Sequence, residues 1–203
     1  MSIDVGGAYS LRAAEYVDLL GSMSSVHPSD LQLVTTWAEQ VEGPLLDAGC
    51  GPGHWSGYLT DRGVDVSGVD QVAEFIGHAR ATYPSTRFEV GSLDALAVPA
   101  SSYAGVLAWY SLIRHDPDSI QQPLSEMARV LQQGGKLLLG FFTGAVVEPF
   151  EHSVVTAYRW PPEALAGVLG SVGFELEETH TRTAARPKPR PHGAILAHLA
   201  SHR

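Results

Sequence analysis

The chain has 203 residues, with 22 acidic side chains against 13 Lys and Arg and a formal net charge of −9. That balance repels nucleic acid and anionic membrane, so neither is expected as a partner. Hydrophobic residues make up 44% and charged ones 17%, enough apolar material for the core of one domain of ordinary size. A single cysteine, Cys50, excludes an intramolecular disulfide and suits a reducing compartment. The first residues show no basic stretch leading into an apolar core. No apolar run approaches the roughly 18 residues a membrane span needs, so the expected location is cytoplasmic.

Residues 11–23 have the spacing of a helix with a mostly apolar face, and Ser29-Asp30 is a cap for a second helix through residue 41. Residues 45–48 are the first strand. A helix over 53–62 opens on a glycine turn and stops at Gly63. Residues 64–69 alternate as a second strand, 72–83 form a helix ended by Pro84, and 86–90 and 103–109 are strands three and four. Leu124, Met127, Val130 and Leu131 give residues 120–131 helical spacing. Gly134-Gly135 ends that helix, and 136–142 is a strongly apolar fifth strand. Strands alternating with helices predict a parallel sheet covered on both faces. The last third differs. Residues 153–160 read as extended, and 163–172 as a helix between Pro161-Pro162 and Gly173. Residues 174–181 and 194–199 read as two strands joined directly by the Pro-rich basic loop 186–191, and therefore antiparallel.

The chemistry concentrates at the end of the first strand, in Pro44-Leu45-Leu46-Asp47-Ala48-Gly49-Cys50-Gly51-Pro52-Gly53. Glycines at alternate positions let the main chain turn sharply and leave room for a ligand against bare backbone. The following helix points free N–H groups at the same space. Asp70 closes the second strand about twenty residues on, where a carboxylate holds a ribose diol. A dinucleotide loop has the pattern G-x-G-x-x-G, which places its third glycine at position 54, but His54 stands there. The G-x-G-x-G spacing and Asp47 just before it disfavour a pyrophosphate and suit a ligand bearing an amino group. Cys50 has no neighbouring base in sequence and reads as an inert thiol.

In these residues the chain resembles the class I S-adenosylmethionine-dependent methyltransferases, in particular a small bacterial group with a methyltransferase type 11-like core. The likeness covers about residues 30–145. It rests on the glycine loop, Gly68-Val69-Asp70, Gly91-Ser92-Leu93-Asp94, Trp109-Tyr110-Ser111-Leu112-Ile113-Arg114-His115, and Ala128-Arg129-Val130-Leu131 before Gly134-Gly135-Lys136-Leu137. It implies an α/β, three-layer Rossmann-like sandwich with a seven-stranded, mostly parallel sheet in the order 3-2-1-4-5-7-6, strand seven antiparallel. It also implies one methyltransferase domain over 1–203, with a helical cover (1–29), a cofactor-binding core (30–145) and an acceptor-side insertion with a closing strand pair (146–203). The cofactor is S-adenosyl-L-methionine and the product S-adenosyl-L-homocysteine. Asp47 and Gly49 would face the methionine end, and Gly51 and Gly53 would let the cofactor lie close. Asp70 would accept from both ribose hydroxyls, Gln71 would flank the adenine, and Ser92 and Leu93 would sit at its edge. Trp109 and Tyr110 would lie near the sulfonium.

Methyl transfer from a sulfonium is an in-line displacement that asks mainly for alignment and exclusion of water. A general base is needed only for a protonated acceptor, and His115, just past strand four, is the candidate. Asp116 and Asp118 beside Pro117 read as turn formers, not as a metal site. Tyr158, Arg159 and Trp160, with Arg114, Arg190 and His192, would give a cationic pocket for an anionic small-molecule acceptor. Tyr9 would belong to a lid. The place after strand four lacks the Asn/Asp-Pro-Pro-aromatic motif of amino-methylating DNA enzymes, reading Ala108-Trp109-Tyr110-Ser111 instead. Two other readings stay open at this level. One is a nicotinamide-dependent oxidoreductase, against which His54 counts; the other is a cofactor-binding module without catalysis.

Overall fold

The computed structural model describes Val17 and residues 21–152, 156–183 and 191–201. Of the expected helix over 11–23 the structure describes only Val17, which is helical, and residues 21–23, the last of which opens a single 3-10 turn over 23–25; Tyr9 and Arg190 lie outside the described residues. In chain order the elements are α1 (Pro28–Ala38), β1 (Leu45–Ala48), α2 (His54–Thr60), β2 (Val66–Asp70), α3 (Ala73–Thr82), β3 (Arg87–Val90) and β4 (Tyr103–Trp109). They continue as α4 (Gln121–Val130), β5 (Leu131–Thr143), β6 (Glu148–Glu151), β7 (Thr156–Trp160), α5 (Pro162–Ser171), β8 (Phe174–Arg182) and β9 (His192–Leu199).

β1 sits between β2 and β4, with β3 beyond β2 and β5 beyond β4, all parallel. β9 runs antiparallel to β5 over Lys136–Phe142, and β8 runs antiparallel to β9. The expected order 3-2-1-4-5-7-6 is thus present, with β9 as its antiparallel seventh strand and β8 as its sixth. The hairpin β6–β7 brings the described sheet to nine strands. Only residues 153–160 of that hairpin were expected to be extended; β6, with Pro149 inside it, carries no strand pattern. Phe142 pairs with His192 of β9 and also, in parallel, with Arg159 of β7. A residue has two ladder edges, so β7 takes the β4 side of β5, above the end of β4. There the Tyr158 N–H donates to the Ile113 carbonyl at 2.7 Å.

The central strands are apolar at consecutive positions because both faces are covered. Leu46, Val106, Leu137 and Leu139 face α4 and α5, whereas Leu45, Leu107 and Leu138 face α1 and α2. On α4, Leu124, Met127 and Val130 are spaced three apart and fully buried. Two boundaries differ from expectation. His27 caps α1, not Ser29-Asp30; its Nδ1 accepts from the Ser29 N–H at 3.2 Å, which leaves the Asp30 carboxylate to take Arg182 of β8. Helix α4 ends at Val130, not at Gly134-Gly135. Those glycines form an excursion inside β5, where the register against β4 jumps from Leu131 to Lys136, with Gly134 at φ 72°.

Glu126 and Arg129 on α4 explain why that helix belongs to the site. Arg129 donates to the carbonyls of Leu96 and Val98, each at 2.8 Å, and pairs with Glu126, which accepts from the Leu96 N–H. The loop carrying Ser92, Leu93 and Asp94 is thereby tied to the sheet's cover. Lysine cannot reproduce this planar fork. Arg129→Lys is expected to cost about 1–2 kcal/mol, the scale for charged hydrogen bonds at a partly exposed site, as read by urea denaturation.

Candidate functional site

The chain turns from β1 to β2 and β3 on one side and later to β4 and β5 on the other, so a crevice opens at the carboxyl ends of β1, β2 and β4. It encloses about 360 Å³. Gly49 and Gly51 form its floor, Asp70 and Gln71 come from the end of β2, Ser92 and Leu93 from the loop after β3, and Trp109 and Tyr110 from the end of β4. Arg114 and His115 complete one wall. Eight of the ten expected cofactor residues therefore meet in one cavity.

Asp70 is held by the turn it serves. Its Oδ2 accepts from the Gly51 N–H at 3.0 Å and its Oδ1 from the Val72 N–H at 2.9 Å. Burial raises its pKa, opposed by these backbone donors and by Arg114. A carboxylate oxygen has two lone pairs, so each oxygen of Asp70 keeps one for a ligand, in the spacing that suits a vicinal diol. A Cβ built on Gly51 meets nothing within 4 Å, so the floor of the crevice is open there. Ser111 also lines the crevice, and its Oγ is buried with no hydrogen-bond partner among the described residues.

Asp47 and Gly53 lie off the crevice. Asp47 is 2% exposed, and its Oδ2 accepts from Ser56 Oγ of α2 at 2.6 Å. Burial, aided by the nearby Asp70 charge and opposed by the Ser56 bond, pushes its pKa up to about 7. Burial likewise pushes the Cys50 thiol up, as an inert thiol requires. His54, at the head of α2, is held neutral by burial, with its pKa pulled down to about 4.

His115 Nε2 faces Asp94 Oδ1 at 3.3 Å, and its Nδ1 is buried without a partner. Burial lowers its pKa against the pull of Asp94, so the ring is neutral. Because a carboxylate only accepts, the proton sits on Nε2. Asp116 behaves as a turn former, accepting from the Ser119 N–H at 2.9 Å and from Ser119 Oγ at 2.6 Å. No group of three or more His, Cys, Asp or Glu is placed to hold a metal ion among the described residues.

The expected cationic pocket does not assemble. Arg159 pairs with Glu148 at 3.0 Å and lies over the Phe150 ring, while Tyr158 and Trp160 pack with Leu112, Ile113 and Leu165 around a separate void of about 10 Å³. Of the described members of that set only Arg114 lines the crevice. His192 instead meets Tyr110, with Nδ1 2.6 Å from the phenolic oxygen. Residues not anticipated on the crevice are Val72, Phe75, Asp94, Ser111 and Ser119. Phe75 had a signal, one turn into the helix that follows Asp70, and Asp94 and Ser111 stand inside the motifs that carry the resemblance; the pairing of Asp94 with His115, 21 positions away, had none.

This sheet order, with a glycine-floored crevice at the central strand and a carboxylate on its neighbour, is the fold of the class I S-adenosylmethionine-dependent methyltransferases. Residues 45–135, a little under half of the chain, match the methyltransferase domain family. It is similar to a malonyl-[acyl-carrier protein] O-methyltransferase of Enterobacter lignolyticus, 34% identical over 93 residues, which are 46% of this chain and 36% of that protein. It is also similar to a probable S-adenosylmethionine-dependent methyltransferase of Mycolicibacterium smegmatis, 30% identical over 159 residues, 75% of this chain and 61% of the relative. The chain thus spans between about a third and three fifths of the length of these curated relatives. The crystal structure of Burkholderia thailandensis 1,6-didemethyltoxoflavin-N1-methyltransferase, with 1,6-didemethyltoxoflavin and S-adenosylhomocysteine bound, superposes with a TM-score of 0.77 at 18% identity, covering 97% of this chain and 88% of that one. No described helix is long and apolar enough to cross a membrane.

Proposed function

We propose that this chain binds S-adenosylmethionine in the crevice and catalyses methyl transfer to a small-molecule acceptor. One observation carries the reading: the Asp70 carboxylate, fixed by two backbone donors, retains a lone pair on each oxygen beside the open bed above Gly51. Asp70 holds the ribose diol. Gln71, Ser92 and Leu93 border the base, and Gly49, Gly51 and the unsatisfied Ser111 hydroxyl take the remainder. The cofactor supplies an activated methyl group, so the chain's own task is alignment and exclusion of water. Trp109 and Tyr110 do the latter, enclosing the reacting end with apolar ring faces; their centroids lie 5.4 Å apart, edge to face. Arg114 on the same wall favours an acceptor with negative charge. The likeness to the malonyl-carrier enzyme covers under half of this chain and supports the cofactor assignment, not the acceptor.

Titration calorimetry with S-adenosylhomocysteine and with NADH tests the reading; binding of the first and not the second is expected. Asp70→Ala should weaken S-adenosylhomocysteine binding by about 1–3 kcal/mol, the scale for hydrogen bonds to a charged group. Unchanged affinity in that variant removes Asp70 from the sugar site.

A further inference from the structure

His115 is poorly placed to take a proton. One ring nitrogen is committed to Asp94 and the other is covered. Tyr110 and His192 form a second titratable pair. Tyr110 follows β4, lines the crevice, and places its hydroxyl oxygen 2.6 Å from His192 Nδ1 on β9.

Several features hold this pair in place. Tyr110 sits at φ 58°, a left-handed backbone that a non-glycine residue holds only where the surroundings impose it. Its N–H is tied to the Gly140 carbonyl at 3.1 Å, and its ring packs against Trp109, Phe142 and His192. His192 pairs across the sheet with Phe142 on β5 and with Arg182 on β8, so the three side chains share one face. Arg182 in turn forms a two-pronged ion pair with Asp30 of α1. The charged and titratable groups around the pair are therefore Asp30 from α1, Arg182 from β8 and, across the Phe142 ring, His152. Burial and the Asp30 charge push the Tyr110 phenol up, against Arg182, so it stays protonated, able to donate one proton while accepting another.

Resting on the methyltransferase reading above, we propose that Tyr110 and His192 form a proton relay, and that the acceptor is a hydroxyl compound whose oxygen arrives protonated. A carboxylate or a neutral amine needs no base, so a relay at this position has a use only for a weakly acidic acceptor. As the acceptor oxygen gains the methyl group and the sulfonium becomes a neutral thioether, the acceptor's O–H proton passes to the Tyr110 oxygen. The phenolic proton of Tyr110 passes to His192 Nδ1. The imidazolium so formed then sheds a proton to water, which balances the charge lost from sulfur. Tyr110 is the catalytic residue of this pair, and His192 acts through it.

Nitrogen-15 NMR of the unliganded protein gives the first readout. His192 Nδ1 is expected unprotonated and hydrogen-bonded, with a signal that moves in Tyr110→Phe; a protonated Nδ1 overturns the relay. The second uses S-adenosylmethionine with two probes of one shape, phenol, protonated near pH 8, and thiophenol, ionised there. His192→Asn keeps an acceptor for the Tyr110 hydroxyl but takes no proton. It is expected to lose phenol turnover by about 10²-fold, together with the rising limb of the pH profile, against about threefold at most with thiophenol. A packing role would be rescued by asparagine. Equal losses on both probes, loss of the same limb in His115→Ala instead, or no phenol methylation by a wild-type protein that binds S-adenosylhomocysteine each overturn the relay and leave the cofactor site standing. Wild-type protein that does not bind S-adenosylhomocysteine removes the methyltransferase reading itself.

Discussion

Asp47→Asn should stabilise the protein progressively as pH rises, from almost no effect near pH 4 to about 4 kcal/mol near pH 8. Asp47 is a fully enclosed carboxyl on β1 with one donor, Ser56, and a second acid, Asp70, nearby. Its pKa of about 7 in the folded protein stands above the ordinary 3.8 of an unfolded chain. Between those values the folded state holds a proton that the unfolded state has released, so folding is opposed as pH climbs. Each pH unit in that window removes about 1.4 kcal/mol, and the full contribution is lost above about pH 7. Asparagine keeps a carbonyl oxygen for the Ser56 hydroxyl and never ionises. Urea denaturation of both proteins from pH 4 to pH 8 reads the difference. Parallel stability profiles for the two would show that Asp47 is solvated or otherwise paired, and that its burial is not as described.

The parts of this molecule legible in sequence are those set by local rules. β1, β4 and the 136–142 stretch of β5 were readable because strands buried on both faces are short apolar runs bounded by turn residues, and α4 because Leu124, Met127 and Val130 repeat at helical spacing. The crevice was readable because its floor and its sugar carboxylate sit on consecutive elements, Gly49 and Gly51 after β1 and Asp70 at the end of β2. The remainder depends on contacts with no sequence periodicity. Glu148–Glu151 forms a strand because it pairs with β7, not because it has strand composition. Tyr110 and His192 are 82 positions apart and meet only because β9 closes antiparallel on β5. Arg159 read as a free cation for substrate, yet β6 supplies Glu148 as its partner once the hairpin forms. Asp47 read as a ligand-facing acid, yet strand alternation turns it away from the crevice and under α2.

The glycine loop allows two functions of one motif to be separated by substitution. Gly53→Ala is expected to destabilise the fold by about 2–5 kcal/mol, combining a left-handed backbone penalty with overpacking. The residue stands at φ 85°, and an added Cβ lies 2.8 Å from the Ala79 methyl and 2.9 Å from the Phe88 ring. Both neighbours belong to the small buried cluster that seats α3 on β3, so the methyl group has no room without shifting that helix. Gly51→Ala carries only the backbone term, about 1–2 kcal/mol at φ 53°, because its Cβ enters open space. Gly51 lines the crevice, so this variant is expected to lose affinity for S-adenosylhomocysteine by tenfold or more, a change of about 1.4 kcal/mol. Urea denaturation and titration calorimetry on the two variants should therefore rank them oppositely, Gly53→Ala worse in stability and Gly51→Ala worse in binding relative to its stability loss. If Gly51→Ala binds S-adenosylhomocysteine as tightly as the wild type, the space above the loop is not where the cofactor lies, and the assignment of Asp70 to its sugar falls with it.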